Sequence, residues 1–328
     1  MSELLVERTA TELLAAYASG EVSPVDVVQA CLDRIEEVDP LINAVRLLRA
    51  DEALTEAAQS ARRWAAGTAG VLDGIPFGLK DIIATAGVTT TGGSALYLDH
   101  VPVETAAHAQ RLLDAGGILL AKLETFEFAC GGPHNRTFGA VSNPWDVERT
   151  TGGSSSGSGA AVAARMMPLA IGTDTGGSVR IPAAYCGLTG LKPTYGRVPR
   201  HGVMGLSWTL DHAGPMTRSA ADAALMMSVI AGHDSRDAAS SSAPVPDYLG
   251  RLSEGAAGVR VGRLRGWFEE GMDPEVLVAH DQAMAALAET GIEVIDVELA
   301  NVEHAIAAAW QIMYPEMLSL HEAHFDQL

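Results

Sequence analysis

Lysine is nearly absent from this chain. Only Lys80, Lys122 and Lys192 are lysine, and the other 19 of its 22 basic residues are arginine. Solvated basic positions have gone almost wholly to arginine, so a lysine kept against that bias marks a place where an amine that can lose its proton serves and a guanidinium cannot. All three lie in apolar or glycine-flanked settings, GLKD, LAKLE and GLKP. A long stem lying over a core edge would read the same way for one or two of them. Cysteine is also scarce. Cys31, Cys130 and Cys186 are scattered, with no C-x-x-C, so neither a disulfide framework nor a zinc site is implied, and a reducing cytoplasm fits. Positive charge is outweighed, 22 basic against 41 acidic residues for a net charge of −19. Such a surface repels phosphate backbones and anionic lipids, so no direct nucleic-acid or membrane binding is expected. No run of eighteen apolar residues occurs, so no membrane span is expected. The N-terminal MSELLVERTATELL carries acids and lacks a basic head with an apolar core, so it does not read as a secretory signal.

What is present is core-forming material and glycine. At 328 residues and 48% hydrophobic, the chain can bury a large core as one big domain or two ordinary ones. Its centre is residues 152 to 178. A first island, Gly152-Gly153-Ser154-Ser155-Ser156-Gly157-Ser158-Gly159, is followed by the apolar run AAVAARMMPLAIG and a second island, Thr173-Asp174-Thr175-Gly176-Gly177-Ser178. Alone, the first island reads as a flexible linker. Its context argues otherwise: Ala160 to Met167 predicts a buried helix and Pro168 to Ile171 a buried strand, which fold the second island back over the first. A nucleophile elbow centred on Ser155 needs a strand just before it, and Asp146 to Thr151 reads as a polar turn. A P-loop needs a Gly-Lys-Ser/Thr end, and no lysine is there.

Around this centre, residues 8 to 38 predict a helical hairpin, with Ser23, Pro24 and Asp26 starting its second helix. Ile42 to Leu48 predicts a strand and Asp51 to Ala66 a helix. Leu72 to Asp81 is a turn entering a short buried strand, with Lys80 at or near its C-terminal end, where ligands gather in open α/β sheets. Thr89 to Ser94 reads as a structural turn. Helix 104 to 115, strand 118 to 120 and the Phe126 to Gly132 segment continue an α/β alternation. Beyond Ser178 come a short helix from Arg180, turns and strands, and helix 220 to 231. Residues 232 to 258 read as a surface loop or linker. Strand 259 to 262, a helix 274 to 289 capped by Asp273, strand 292 to 297 and a last helix holding Trp310, Met313 and Met317 complete the chain.

Cleaving an unactivated acyl bond needs a nucleophile, a base and an oxyanion site. Ser178 follows Thr175-Gly176-Gly177 and precedes a helix, where consecutive N–H groups can converge on one oxygen. It is the best nucleophile. His134, His201 and His212 read as surface or structural histidines. Lys80 is the better base, because burial lowers a lysine pKa, and Ser154 in the first island can carry the proton between the two.

The segments GIPFGLKD, TTGGSSSGSGAAVAA and GTDTGGSVRIPAAYCGLTGLKPTYGRV together are similar to the amidase signature family, most densely from Leu72 to Arg218. The resemblance implies a large mixed, mostly parallel β-sheet core with helices on both faces. It also implies a Ser-cisSer-Lys triad: Lys80 as base, Ser154 as the bridging serine after a cis peptide bond, and Ser178 as nucleophile. The oxyanion hole falls on the N–H groups of Thr175, Gly176, Gly177 and Ser178. Phe126, Phe128, Cys130 and Gly131 are expected near the acyl pocket, or as core packing. Lys122 and Lys192 lie in motifs read as structural. No cofactor and no metal are implied. The expected organisation is one domain over 1–328: a helical part at 1–70, a catalytic core at 71–218, the loop at 232–258 and an incomplete C-terminal part at 259–328, since family members run further. An exposed sheet edge there would invite association, for instance as a homodimer. The leading functional expectation is a stand-alone hydrolase of small-molecule amides, with carbamates or esters as further substrates. The alternatives are the glutamine-hydrolysing A subunit of a tRNA-dependent amidotransferase, and a non-catalytic binding member.

Overall fold

The computed structural model describes residues 2–323. Helices α1 (Ser2–Glu7), α2 (Ala10–Ser19) and α3 (Pro24–Ile42) lead into strand β1 (Val45–Leu48) and helix α4 (Ala50–Ala66). Strand β2 (Pro76–Lys80), α5 (Ala107–Asp114) and β3 (Ile118–Leu123) follow. A small hairpin, β4 (Ser142–Asn143) and β5 (Asp146–Thr150), precedes α6 (Ser156–Ala163) and β6 (Leu169–Asp174). Then come α7 (Arg180–Cys186), β7 (Thr189–Gly190), β8 (His212–Thr217) and α8 (Ala220–Ile230). The last elements are β9 (Arg260–Leu264), α9 (Pro274–Glu289), β10 (Glu293–Val297) and α10 (Glu303–His321).

Six strands make one mixed sheet in the order β1-β3-β2-β6-β8-β7. Its centre, β3-β2-β6, is parallel, and every residue of those three strands is buried. Parallel strands need crossovers that cover both faces, and α5 and α6 lie in the crossovers leading into β3 and β6. The expected mostly parallel pairing stops there. β1 pairs antiparallel with β3, and β8 antiparallel with both β6 and β7. Four strands share one direction, and β1 and β8 oppose them. A core of apolar side chains from Leu13 and Val28 through Phe77, Leu119 and Ile171 to Met226 fills the space between sheet and helices.

Local signals explain most element ends. Ser23 and Asp26 form a reciprocal capping box at α3, with Pro24 in the first turn. That helix runs past Pro40 to the buried Ile42, and Asn43 ends it at a φ of 58° with its N–H on Asp39 O. Asp273 caps α9 as expected. Two expectations fail. Asp146 to Thr150 is a strand, exposed along its length and polar except for Val147, paired with Ser142–Asn143, so no apolar alternation marked it. Helix α6 begins inside the glycine-serine island and ends at Ala163, short of Met167. The reason is contact: a Cβ on Gly157 would stand 2.4 Å from Glu124 N and 2.5 Å from Ala44 O. Glycine lets this helix start press backbone to backbone against the end of β3.

The C-terminal unit is built differently. β9 and β10 form their own parallel pair, and no residue of α9 is buried. α10 returns to the main body through Met313 and Glu316, its two buried side chains. No helix among the described residues is long and apolar enough to cross a membrane.

Candidate active site

The parallel strands β2 and β6 end at the same side of the sheet, and their last residues meet the two glycine-serine islands there. Lys80 closes β2 with no solvent exposure. Its Nζ donates to Ser154 Oγ at 2.7 Å and to Thr173 Oγ1 at 2.8 Å. Burial pulls its pKa from the ordinary 10.5 down to about 7, against the opposing fields of Asp211 and Asp174. The amine can therefore lose its proton near neutrality.

Ser154 follows a cis Gly153–Ser154 peptide bond. Its carbonyl accepts hydrogen bonds from Thr125 Oγ1 at 3.1 Å and Phe126 N at 3.2 Å. The Phe126 ring covers Gly153 so closely that a Cβ there would lie 2.3 Å from its Cζ. The next serine faces elsewhere. Ser155 Oγ accepts from Thr173 N and donates to Thr173 O, both at 3.1 Å, which ties the first island to β6. Ser155→Ala is expected to lower stability by about 1–2 kcal/mol, measured by denaturant unfolding, while costing far less activity than loss of Lys80 or Ser178.

The second island is shaped by Asp174, which is fully buried. Its Oδ1 accepts Gly177 N at 2.8 Å, its Oδ2 accepts Val179 N at 3.2 Å, and the Arg180 guanidinium grips both oxygens at 2.9 and 2.8 Å. Burial pushes this carboxyl up, but the Arg180 contacts and the N–H donors hold it below its ordinary value. Gly177 takes a φ of 126°, open to glycine. Its N–H serves Asp174, so the expected set of free oxyanion donors narrows to Thr175, Gly176 and Ser178. These three N–H groups have no protein acceptor among the described residues. Ser178 is partly exposed, and its carbonyl accepts Ser155 N at 3.3 Å. Its hydroxyl makes no hydrogen bond among the described residues.

The other expected residues lie around this cluster. Phe128 has a φ of 47° and donates its N–H to Gly92 O at 2.7 Å, with its ring against Tyr97 and His321. Cys130 is half-buried and Gly131 exposed, with open space beside it. Phe126 lies against Gly153 of the first island, and Tyr185 against Gly152. His134 is exposed, His201 pairs with Glu104 at 3.4 Å, and His212 Nδ1 faces Asp174 O and Leu210 O. Lys122 is fully buried, 3.4 Å from Asp81, and donates to Ile83 O and Thr90 Oγ1 at 2.6 Å. It fixes the Thr89–Ser94 turn. Lys192 donates to Pro193 O. No cluster of three metal-ligating side chains occurs among the described residues.

Sequence reasoning missed Thr173, Asp174 and Asp211. Thr173 and Asp174 lie just past the predicted strand Pro168 to Ile171 and close the observed β6, and polar residues following such an apolar strand were the available signal.

The site thus joins a buried lysine, a cis-linked serine and a glycine-rich loop at one end of a mixed α/β sheet. The amidase family model matches residues 26–326, and the chain belongs to that family. It is 42% identical over 323 residues to the A subunit of glutamyl-tRNA(Gln) amidotransferase from Geobacter sp. (strain M21), covering 98% of this chain and 66% of that protein. Its counterpart from Acidothermus cellulolyticus (strain ATCC 43068 / DSM 8971 / 11B) is 46% identical over 327 residues, covering 99% and 65%. Among solved structures, native peptide amidase from Stenotrophomonas maltophilia superposes with a TM-score of 0.89 at 37% identity, over 98% of this chain and 68% of that one. The chain thus spans just under two thirds of the length of these curated relatives.

Proposed function

We propose that the protein hydrolyses carbon–nitrogen bonds of carboxamides through an acyl-enzyme on Ser178. The observation that carries this reading is the 2.7 Å contact between a buried Lys80, with a pKa of about 7, and Ser154 Oγ. Neutral Lys80 accepts a proton from Ser154 as Ser154 accepts the proton of Ser178. The Ser178 oxygen attacks the carbonyl carbon, and the oxyanion is held by the N–H groups of Thr175, Gly176 and Ser178. As the C–N bond breaks, the proton returns along the relay to the leaving amine. Water then attacks the acyl-enzyme, passes its proton to the same relay and releases the acid. Family membership, the likeness to peptide amidase and the open donor loop all support this chemistry.

The identity of 42% and 46% to amidotransferase A subunits favours a second reading, in which the amide is glutamine and the ammonia serves a partner protein. Ammonia release from a panel of peptide, aryl and aliphatic amides and from glutamine, each with wild type and Ser178→Ala, tests both. Turnover of a simple amide by the isolated chain, lost in Ser178→Ala, supports the stand-alone reading. Glutamine turnover that rises on adding a partner protein supports the other. Turnover that survives in Ser178→Ala contradicts both.

A further inference from the structure

We propose that Asp211 is a positioning residue that holds the Thr175–Ser178 loop in place through the Thr175 hydroxyl, with Glu316 of α10 fixing the loop that carries Asp211. The inference rests on the proposed reading of Ser178 and its donor loop. Asp211 precedes β8 and is nearly buried. One carboxylate oxygen accepts Thr175 Oγ1 at 2.6 Å, and the other accepts Leu206 N at 2.8 Å and Ser207 N at 3.0 Å. The carboxylate thus joins the second island to the 205–211 loop. That loop is held in turn by Glu316, whose carboxylate accepts the Ser207 and Thr209 hydroxyls and, at 3.1 Å, Thr209 N. Glu316 is one of two buried side chains on α10, so the contact is also the helix's polar anchor to the main body.

The loop needs such an anchor. Asp174 fixes its C-terminal half through Gly177 N and Val179 N. Gly176 meets nothing within 4 Å of where a Cβ would be, and two successive glycines leave the backbone free to turn. The Thr175 hydroxyl is the side-chain tether at the other end. Donors displaced by a fraction of an ångström stabilise an oxyanion less, so release of Thr175 costs rate rather than substrate binding.

Asp211 also acts on the base by field. The charged groups acting on Lys80 are Asp211 and Asp174, and both favour its protonated form. Arg180 neutralises Asp174 by direct contact, whereas Arg200 reaches only the backbone oxygen of Asp211, at 3.5 Å. His212, the neighbour of Asp211, turns its Nδ1 to backbone oxygens.

The test has two readouts on the intact chain. The first is the rate of fluorophosphonate labelling at Ser178 in wild type, Asp211→Ala, Thr175→Val, the double variant and Thr175→Ser. About tenfold or greater slowing is expected in Asp211→Ala and in Thr175→Val, with no further loss in the double variant and near wild-type labelling in Thr175→Ser. The second uses the lysine shortage: selective ¹³C-lysine labelling gives three side-chain signals, with Lys80 assigned by Lys80→Arg. Asp211→Asn, which keeps the shape and removes the charge, is expected to move the Lys80 titration to lower pH. Wild-type labelling rates in Asp211→Ala and Thr175→Val overturn the proposal. If wild type itself takes no label, the reading of Ser178 fails, and the titration decides for Asp211: an unmoved Lys80 overturns it and a shifted one supports it.

Discussion

Lys80→Met is expected to lower kcat/KM toward any amide the protein turns over by about 10³-fold or more, with the chain still folded. The substitution removes the amine that reaches Ser154 Oγ, and a thioether cannot take its place as a base. Wild-type kcat/KM is expected to rise through a pKa near 7 as Lys80 deprotonates. Lys80→Arg is expected to be inactive at every pH, because a guanidinium stays charged. The same burial has a stability consequence. Between about pH 7 and the ordinary 10.5 the unfolded chain holds the Lys80 proton and the folded chain does not. Stability from this group therefore rises with pH across that window, and its full cost is felt below it. Lys80→Met is accordingly expected to raise Tm, by more at pH 6 than at pH 9, with a difference of about 2–3 kcal/mol in unfolding free energy. A larger gain at pH 9, measured by thermal unfolding, would contradict the buried neutral amine.

Asp174→Ala is expected to be the most destabilising change in the second island. Its carboxylate accepts two backbone N–H groups with good geometry and both arms of Arg180. Removing it leaves those donors unpaired and frees the turn that sets Gly177 at a φ of 126°. A loss of about 3 kcal/mol is expected, since two loop N–H groups lose their acceptor at about 1–3 kcal/mol each. Arg180 is half exposed and can turn to water, so the damage falls chiefly on the loop N–H groups. Labelling of Ser178 is expected to drop by about a hundredfold or more in any fraction that folds. Denaturant unfolding and labelling rate, measured on the same preparation, separate the two effects. Unchanged stability together with unchanged labelling would show that Asp174 does not shape the loop.

The parallel centre of the sheet was legible because β2, β3 and β6 are short, apolar and bounded by turns, as strands buried on both faces must be. The antiparallel edges were not. β7 has only two residues, and β8 reads HAGPMT, with glycine and proline where a periodic signal would need side chains. Lys80 stood out through the scarcity of lysine and its place at the end of a buried strand. Which of Ser154, Ser155 and Ser156 faces Lys80 could not be read from residue types alone, because three adjacent hydroxyls carry the same chemistry. The resemblance to a family pointed to Ser154, and Lys80 touches Ser154 while Ser155 bonds the Thr173 backbone. Asp211 was invisible for another reason. It acts across 36 residues of chain on Thr175, and no local pattern records a contact that tertiary packing creates. Residue types left the Phe126–Gly131 segment open between pocket and core packing, because the left-handed turn at Phe128 and Ala129 that sets the Phe128 ring against Tyr97 and His321 has no glycine to mark it.

The most direct measurement is the intact mass of the protein after exposure to a fluorophosphonate, run beside Ser178→Ala. A single adduct on wild type and none on Ser178→Ala is the predicted result, with labelling that grows as pH rises through about 7. No adduct on folded wild type, or an adduct that persists in Ser178→Ala, would contradict the assignment of Ser178 as a nucleophile served by Lys80.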